Sequence, residues 1–209
     1  MPVLELDSIL LNYDSRVILS NVAIRCNTGE VIGILGRNGS GKSSLLQVVF
    51  GSKKAQYRSV RINGDVKEDQ ITYLPQDNLI PNYIRISRAL SLYKIDQDDI
   101  VSEFPESKDW LTLYPQQLSG GSRRIIEVLL VLKSRAPFCL LDEPFTGIAP
   151  IYIDKLKLII KNTHTKGVII TDHLYRDVMS IADRLYVLTN GQTYPVKNEH
   201  DLKHRGYIF

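Results

Sequence analysis

The stretch Gly36-Arg37-Asn38-Gly39-Ser40-Gly41-Lys42-Ser43 sets three glycines at spaced positions and ends in a lysine and a hydroxyl. This is the G-x-x-x-x-G-K-[ST] spacing of a phosphate-binding loop. Gly36, Gly39 and Gly41 let the backbone curl and approach an anion closely. The curl turns successive N–H groups inward, and a helix that follows adds its positive end. Lys42 supplies a point charge for β- and γ-phosphates, and the Ser43 hydroxyl can ligate Mg²⁺.

A glycine turn before any helix would show the same residues, so the flanking elements decide. Val31-Ile32-Gly33-Ile34-Leu35 is a short apolar run of the kind that makes a buried strand. Ser43–Phe50 runs on without a breaker to Gly51, which can cap a helix. Strand, glycine loop and helix thus come in the order a phosphate site needs.

A second acidic site is expected where a neighbouring strand ends. Phe138-Cys139-Leu140-Leu141 is apolar throughout and runs into Asp142-Glu143, as a strand of a parallel sheet would. An aspartate there can help hold Mg²⁺, and the carboxylate after it can polarise a water in line with a γ-phosphate. Leu118-Ser119-Gly120-Gly121-Ser122 then opens a helix with free N–H groups, a second place for an anion. One nucleotide cannot easily use both loops of the same chain.

Around these motifs, 3–11 and 16–26 are expected as two strands about the turn Asn12-Tyr13-Asp14-Ser15. Ser59–Ile62 and Ile71–Leu74 are expected as short strands. Helical periodicity marks Ile84–Tyr93 and Ile100–Phe104. The helix opened by Gly120-Gly121 is followed by helices at Pro150–Asn162 and Leu174–Ile181. Gly167–Thr171 reads as a strand, and Asn190-Gly191 as the turn of a hairpin between Arg184–Thr189 and Gln192–Pro195. The fold class is therefore α/β. It comprises a phosphate-loop core with a mostly parallel sheet, an N-terminal antiparallel β subdomain and a small inserted helical subdomain. The expected division is one domain over 1–209, with 1–76 and 138–209 as core and 77–137 as the helical part.

The chain has 209 residues, of which 26 are basic and 23 acidic, for a net charge of +3. That balance does not suggest a nucleic-acid binder. Lys53, Lys54, Arg58 and Arg61 read as a solvated basic face. The two cysteines, Cys26 and Cys139, show no metal or disulfide spacing, which fits a reducing cytosol. No apolar run approaches membrane-spanning length and no secretory signal is visible, so work at a membrane would need another chain.

Taken together, these motifs resemble the ATP-binding subunit of an ABC transporter over essentially the whole chain. The resemblance rests on GRNGSGKS at 36–43, Gln76 in Tyr73-Leu74-Pro75-Gln76, LSGG at 118–121, FCLLDEP at 138–144, and His173 in Thr171-Asp172-His173. It implies ATP and Mg²⁺ as cofactors. It implies nucleotide contacts at Tyr13, at Gly36, Arg37, Asn38, Gly39, Ser40, Gly41, Lys42, Ser43 and Ser44, and at Gln76, Ser119, Gly120 and Gly121. Tyr13 would stack on adenine; Ser43, Gln76 and Asp142 would serve the metal. Glu143 would be the general base, with Lys42 and His173 on the γ-phosphate. It further implies a homodimer, or a dimer with a similar subunit, joined to separate transmembrane permeases at the cytoplasmic face of a membrane.

The resemblance leaves two rivals open, a non-transport ATPase of the same family and a weakly hydrolysing dimerisation module. LSGG and His173 argue against another P-loop class such as a kinase. Two positions depart from the family pattern. Ala149 stands where an aspartate usually follows Gly147-Ile148, and Ser122 stands where Gln or Glu usually follows LSGG. The missing carboxylate puts coupling between two sites, or the full hydrolytic rate, in question.

Overall fold

The computed structural model describes residues 1–65 and 70–207. A six-stranded sheet forms its centre. β4 (Val31–Leu35), β6 (Ile71–Leu74), β7 (Phe138–Asp142), β8 (Gly167–Thr171) and β9 (Arg184–Thr189) run parallel, and β10 (Gln192–Val196) closes one edge antiparallel. The order across the sheet is β10-β9-β4-β8-β7-β6. Every residue of β4, β7 and β8 is buried, as expected where helices cover both faces.

The period-two alternation of these strands divides the interior into two cores. Ile32, Ile34, Phe138, Leu140 and Ile169 face α1 (Lys42–Phe50) and the N-terminal strands. Val31, Leu35, Cys139, Leu141, Val168 and Ile170 face the other helices. Gly33 lies on this second face. A Cβ there would sit 2.6 Å from Leu185 and 2.7 Å from Val178, so the strand is bare to let α6 (Tyr175–Ile181) pack close.

An antiparallel sheet covers α1. β1 (Val3–Tyr13) pairs with β2 (Arg16–Leu19), β3 (Ile24–Asn27) and β5 (Tyr57–Ile62). The segment expected as one strand at 16–26 is therefore two. It breaks at Ser20–Ala23, where Ser20 and Asn21 donate backbone bonds to the Gly191 carbonyl. That long-range bond draws the chain out of line, so β2 and β3 meet opposite ends of β1.

The expected helical insert contains α2 (Ile86–Leu92), α3 (Gln97–Glu103) and two 3₁₀ turns at Pro105–Trp110 and Pro115–Gln117. It has no separate core: Ile86, Leu90, Ile100 and Phe104 join the cluster beneath β7 and β8. The helix α4 (Gly120–Lys133) lies between insert and sheet and packs on β6 and β7. A C-terminal helix, α7 (Glu199–His204), was not expected from periodicity. Asn198 caps it, Leu202 is fully buried, and Tyr207 meets Tyr175 edge-on at 6.0 Å.

The helix α5 (Pro150–Lys161) begins with Pro150 in its first turn, but its N-cap is Ala149, which offers no side-chain acceptor. Ala149 is exposed, so a capping side chain has room. Ala149→Ser supplies the missing acceptor and stabilises the fold by about 1 kcal/mol, a Tm rise of about 2–4 °C. Calorimetry showing an unchanged or lower Tm would contradict this.

Candidate active site

The parallel register sets the motif-bearing strand ends side by side. Leu74 pairs with Leu141, Leu141 with Ile170, and Asp142 with Thr171. The glycine loop leaves β4, which pairs with β8 through Gly33 and Ile170. Gln76, Asp142-Glu143, His173 and the glycine loop thus all emerge at the carboxyl end of one sheet, where open α/β sheets form their binding crevice.

Gly39 and Gly41 adopt left-handed backbone, with φ of 75° and 103°. Gly41 is also the N-cap of α1 and touches β2, since a Cβ there would come 3.0 Å from Ile18. This close approach seats the β1–β2 hairpin over the loop. Tyr13 and Arg16 face each other across that hairpin, and Tyr13 is 47% exposed at its tip.

Lys42 is buried and donates to the Gly36 carbonyl at 2.6 Å and the Arg37 carbonyl at 3.3 Å. Burial lowers its pKa, against the opposing charges of Glu143, Asp142 and Asp172. Asp142 is a hub of hydroxyl donors. Its Oδ1 accepts from Ser43 at 3.1 Å and Thr171 at 2.9 Å, and its Oδ2 from Tyr73 at 3.1 Å. Burial and this carboxylate push the Tyr73 phenol upward, which keeps it a donor.

Glu143 is 5% exposed and takes a left-handed φ of 52°. Its Oε1 lies 2.6 Å from His173 Nε2, and its Oε2 accepts from Gln76 at 3.1 Å and Thr146 at 3.4 Å. Asp172 ties the neighbouring loops, accepting from the backbone of Phe145 at 2.9 Å and Leu174 at 3.0 Å.

A cavity of about 480 Å³ gathers Tyr13, Asn38, Gly39, Gly41, Lys42, Ser43, Ser44, Gln76, Glu143 and His173. Asp142 sits behind Ser43. Arg37 and Ser40 line an adjoining cavity of about 510 Å³ with Arg205 and Tyr207, and Gly36 lies under Ser40. Ser119, Gly120 and Gly121 do not line the Lys42 cavity. Ser119 caps α4, accepting from the Ser122 amide at 3.0 Å. A Cβ on Gly121 would fall 2.8 Å from the Gly147 carbonyl, whereas one on Gly120 would meet nothing within 4 Å.

The structure adds residues to those expected. Arg16 and Ile18 also line the cavity. Lys53, read as part of a solvated face, places its ammonium 5.3 Å from the Tyr13 ring centre and donates to Ser44 at 3.3 Å. Arg58 binds the carbonyls of Val48 and Val49 at the end of α1. The basic cluster is thus partly absorbed into α1 and its surroundings. Arg16, at the start of β2 across the hairpin from Tyr13, belongs to none of the motifs and was missed.

A family model described as ABC transporter matches residues 19–146. The chain belongs to the ABC transporter family, as an ATP-binding subunit. It is 30% identical to the lipopolysaccharide export system ATP-binding protein LptB of Haemophilus influenzae, over 92% of this chain and 89% of that one. It is 27% identical to the high-affinity branched-chain amino acid transport ATP-binding protein BraG of Pseudomonas aeruginosa, over 91% and 90%. Among solved structures, an ATP-binding subunit of an ABC transporter superposes with a TM-score of 0.85 at 19% identity, over 98% of this chain and 94% of the other. That likeness confirms the expected α/β fold. The chain is therefore an ATPase that energises transport, and ATP is its nucleotide.

Lys42 links this site to pH. Burial holds its pKa below the ordinary 10.5, so in the empty protein its charge costs stability below the lowered pKa, a cost relieved as pH rises towards 10.5. Phosphates favour the charged form and reverse that sign. ATP affinity falls as pH climbs through the lowered pKa, with proton uptake on binding in that range. Calorimetry in buffers of different ionisation enthalpy measures the uptake. Affinity that holds level up to pH 10.5 would contradict the assignment.

Proposed function

We propose that this subunit hydrolyses ATP as a head-to-tail homodimer, or paired with a similar subunit, and drives separate transmembrane permease subunits. ATP lies between the glycine loop of one copy and Ser119-Gly120-Gly121 of the other. The observation that carries this reading is the half-built pocket. It holds Lys42, Gln76, Glu143 and His173 yet leaves out the second anion loop, whose Gly120 faces open space.

Tyr13 stacks on adenine, and Lys53 on the ring's flank supports that aromatic platform. The backbone N–H groups of 36–44 cradle the phosphates, and Lys42 exchanges its loop carbonyls for phosphate oxygens. Mg²⁺ fits the donor set, which is all oxygen: the Ser43 hydroxyl, the Asp142 carboxylate and the Gln76 amide. Among the described residues no cluster of three or more His, Cys, Asp or Glu forms a protein cage for a metal. A site of few protein oxygens is what Mg²⁺ uses when phosphates and water complete its shell. When bound, the ion supplies charge neutralisation at the phosphates.

Glu143 takes the proton of the attacking water, and His173 and Gln76 hold its two carboxylate oxygens in place beforehand. Lys42 and His173 meet the charge on the γ-phosphate. The chemistry is positioning and electrostatics more than covalent catalysis. The lobe at 77–117 meets the permease. No helix among the described residues is long and apolar enough to cross a membrane; the likeness to ATP-binding proteins of transport systems supports a peripheral place on the cytoplasmic face.

Glu143→Gln retains ATP binding, lowers turnover by roughly 10²-fold or more, and elutes as a dimer from a sizing column with ATP. Native turnover in that variant would remove Glu143 as the base. Ala149→Asp and Ala149→Ser both cap α5, but only the aspartate adds a carboxylate to the loop beside Gly121. The aspartate variant shows a higher ATPase rate or cooperativity, while the serine variant changes stability alone. If both turn over like the parent, the loop works without the carboxylate.

A further inference from the structure

The left-handed turn at Glu143 needs a cause. Side chains other than glycine resist positive φ, and such conformations persist only where the surroundings hold them. Here the holder comes from another element. Arg124, in the first turns of α4, directs its guanidinium at the backbone just where the turn is made. Its NH2 donates to the carbonyl of Asp142 and, at 3.1 Å, to that of Glu143. Its NH1 donates at 2.8 Å to the carbonyl of Pro75, the residue before Gln76. From the opposite side the Thr171 carbonyl accepts the Glu143 amide at 2.8 Å.

The charge is itself held in place. Arg124 is 7% exposed and Glu127 fully buried, with NH1 3.6 Å from Glu127 Oε2. Glu127 Oε1 accepts from the backbone of Leu79 at 2.9 Å and Ile80 at 3.1 Å, and from Arg123 at 3.1 Å. One carboxylate thus balances Arg124 and pins the chain just after Gln76. A planar guanidinium suits this place because its fork holds two donor nitrogens apart, one on the Pro75 carbonyl and one on those of Asp142 and Glu143, where an ammonium donates from a single point.

We propose that Arg124 is a positioning residue for hydrolysis. It acts through the backbone of Asp142 and Glu143, aiming the Glu143 carboxylate into the pocket, and it ties that aim to the helix that opens with Ser119-Gly120-Gly121. The assignment rests on Glu143 being the base.

Arg124→Lys keeps the charge beside Glu127 but loses the fork. In steady-state hydrolysis of Mg-ATP, its kcat falls at least about tenfold while KM for ATP stays within about threefold. Single-turnover hydrolysis in the Glu143→Gln background separates positioning from general damage. There, adding Arg124→Lys leaves the residual rate unchanged, because the group it aims is already gone. A residual rate that drops by the same factor again would make Arg124 merely structural and overturn the proposal. Native kcat in Arg124→Lys, with Glu143→Gln inactive, overturns it while leaving Glu143 as the base. Native turnover in Glu143→Gln alone overturns both. Should Arg124→Lys fail to fold, Arg124→Gln removes the fork while Glu127 keeps its ion pair with Arg123 at 3.1 Å; the same fall in kcat is expected, and native kcat overturns the proposal.

Discussion

Parallel pairing at one level is the constraint on which the rest of this molecule depends. Strands β4, β6, β7 and β8 end together because Leu74, Leu141 and Ile170 are register partners. Their exit loops therefore meet, and residues more than a hundred positions apart in the chain come to share one cavity. A slip of one residue in β7 would turn Leu141 and Leu140 to the wrong cores. It would also carry Asp142 away from Ser43, Thr171 and Tyr73. The two hydrophobic clusters that hold the register are thus also what holds the acidic site against the glycine loop.

The burial of charge follows from the same geometry. Helix α4 is apolar from Val128 to Leu132, yet its first turns carry Arg123, Arg124 and Glu127 into the interior. Such groups are costly unless paired and hydrogen-bonded. Here they are spent on backbone groups of the loops around Gln76 and Glu143, which no strand partner can satisfy. The helical insert has no core of its own, so this polar junction, with the shared apolar cluster, joins it to the sheet. The loop after β7 touches the same helix through Gly121 and Gly147. Through these contacts the turn at Glu143, the chain beside Gln76 and the start of α4 are joined.

Much of this was legible in the residues. The buried strands Val31–Leu35, Phe138–Leu141 and Gly167–Thr171 announced themselves by short, mostly apolar runs, and the family by spaced glycines, paired acids and a lone histidine. Less local features were not legible. The break between β2 and β3 depends on a bond to Gly191, far along the chain. Helix α7 is too short to show a period, and one buried leucine with a docked tyrosine secures it. Lys53 looked like a surface charge because nothing nearby in sequence reveals that the Tyr13 hairpin folds back over α1.

The sequence by itself determined the kind of chemistry. Side-chain types at fixed spacing within single loops specify a phosphate cradle and an acidic strand end, since those properties belong to a few contiguous residues. It also determined the alternation of strand and helix, because period and breaker residues are local. Only the tertiary structure decided which groups act together. That Glu143 is held by His173 and Gln76, that Asp142 gathers three hydroxyls, and that Arg124 grips the turn behind the carboxylate are contacts between distant segments. Their reason is packing: buried polar groups must find partners wherever the close-packed sheet and helices place them, and spacing along the chain does not encode that distance.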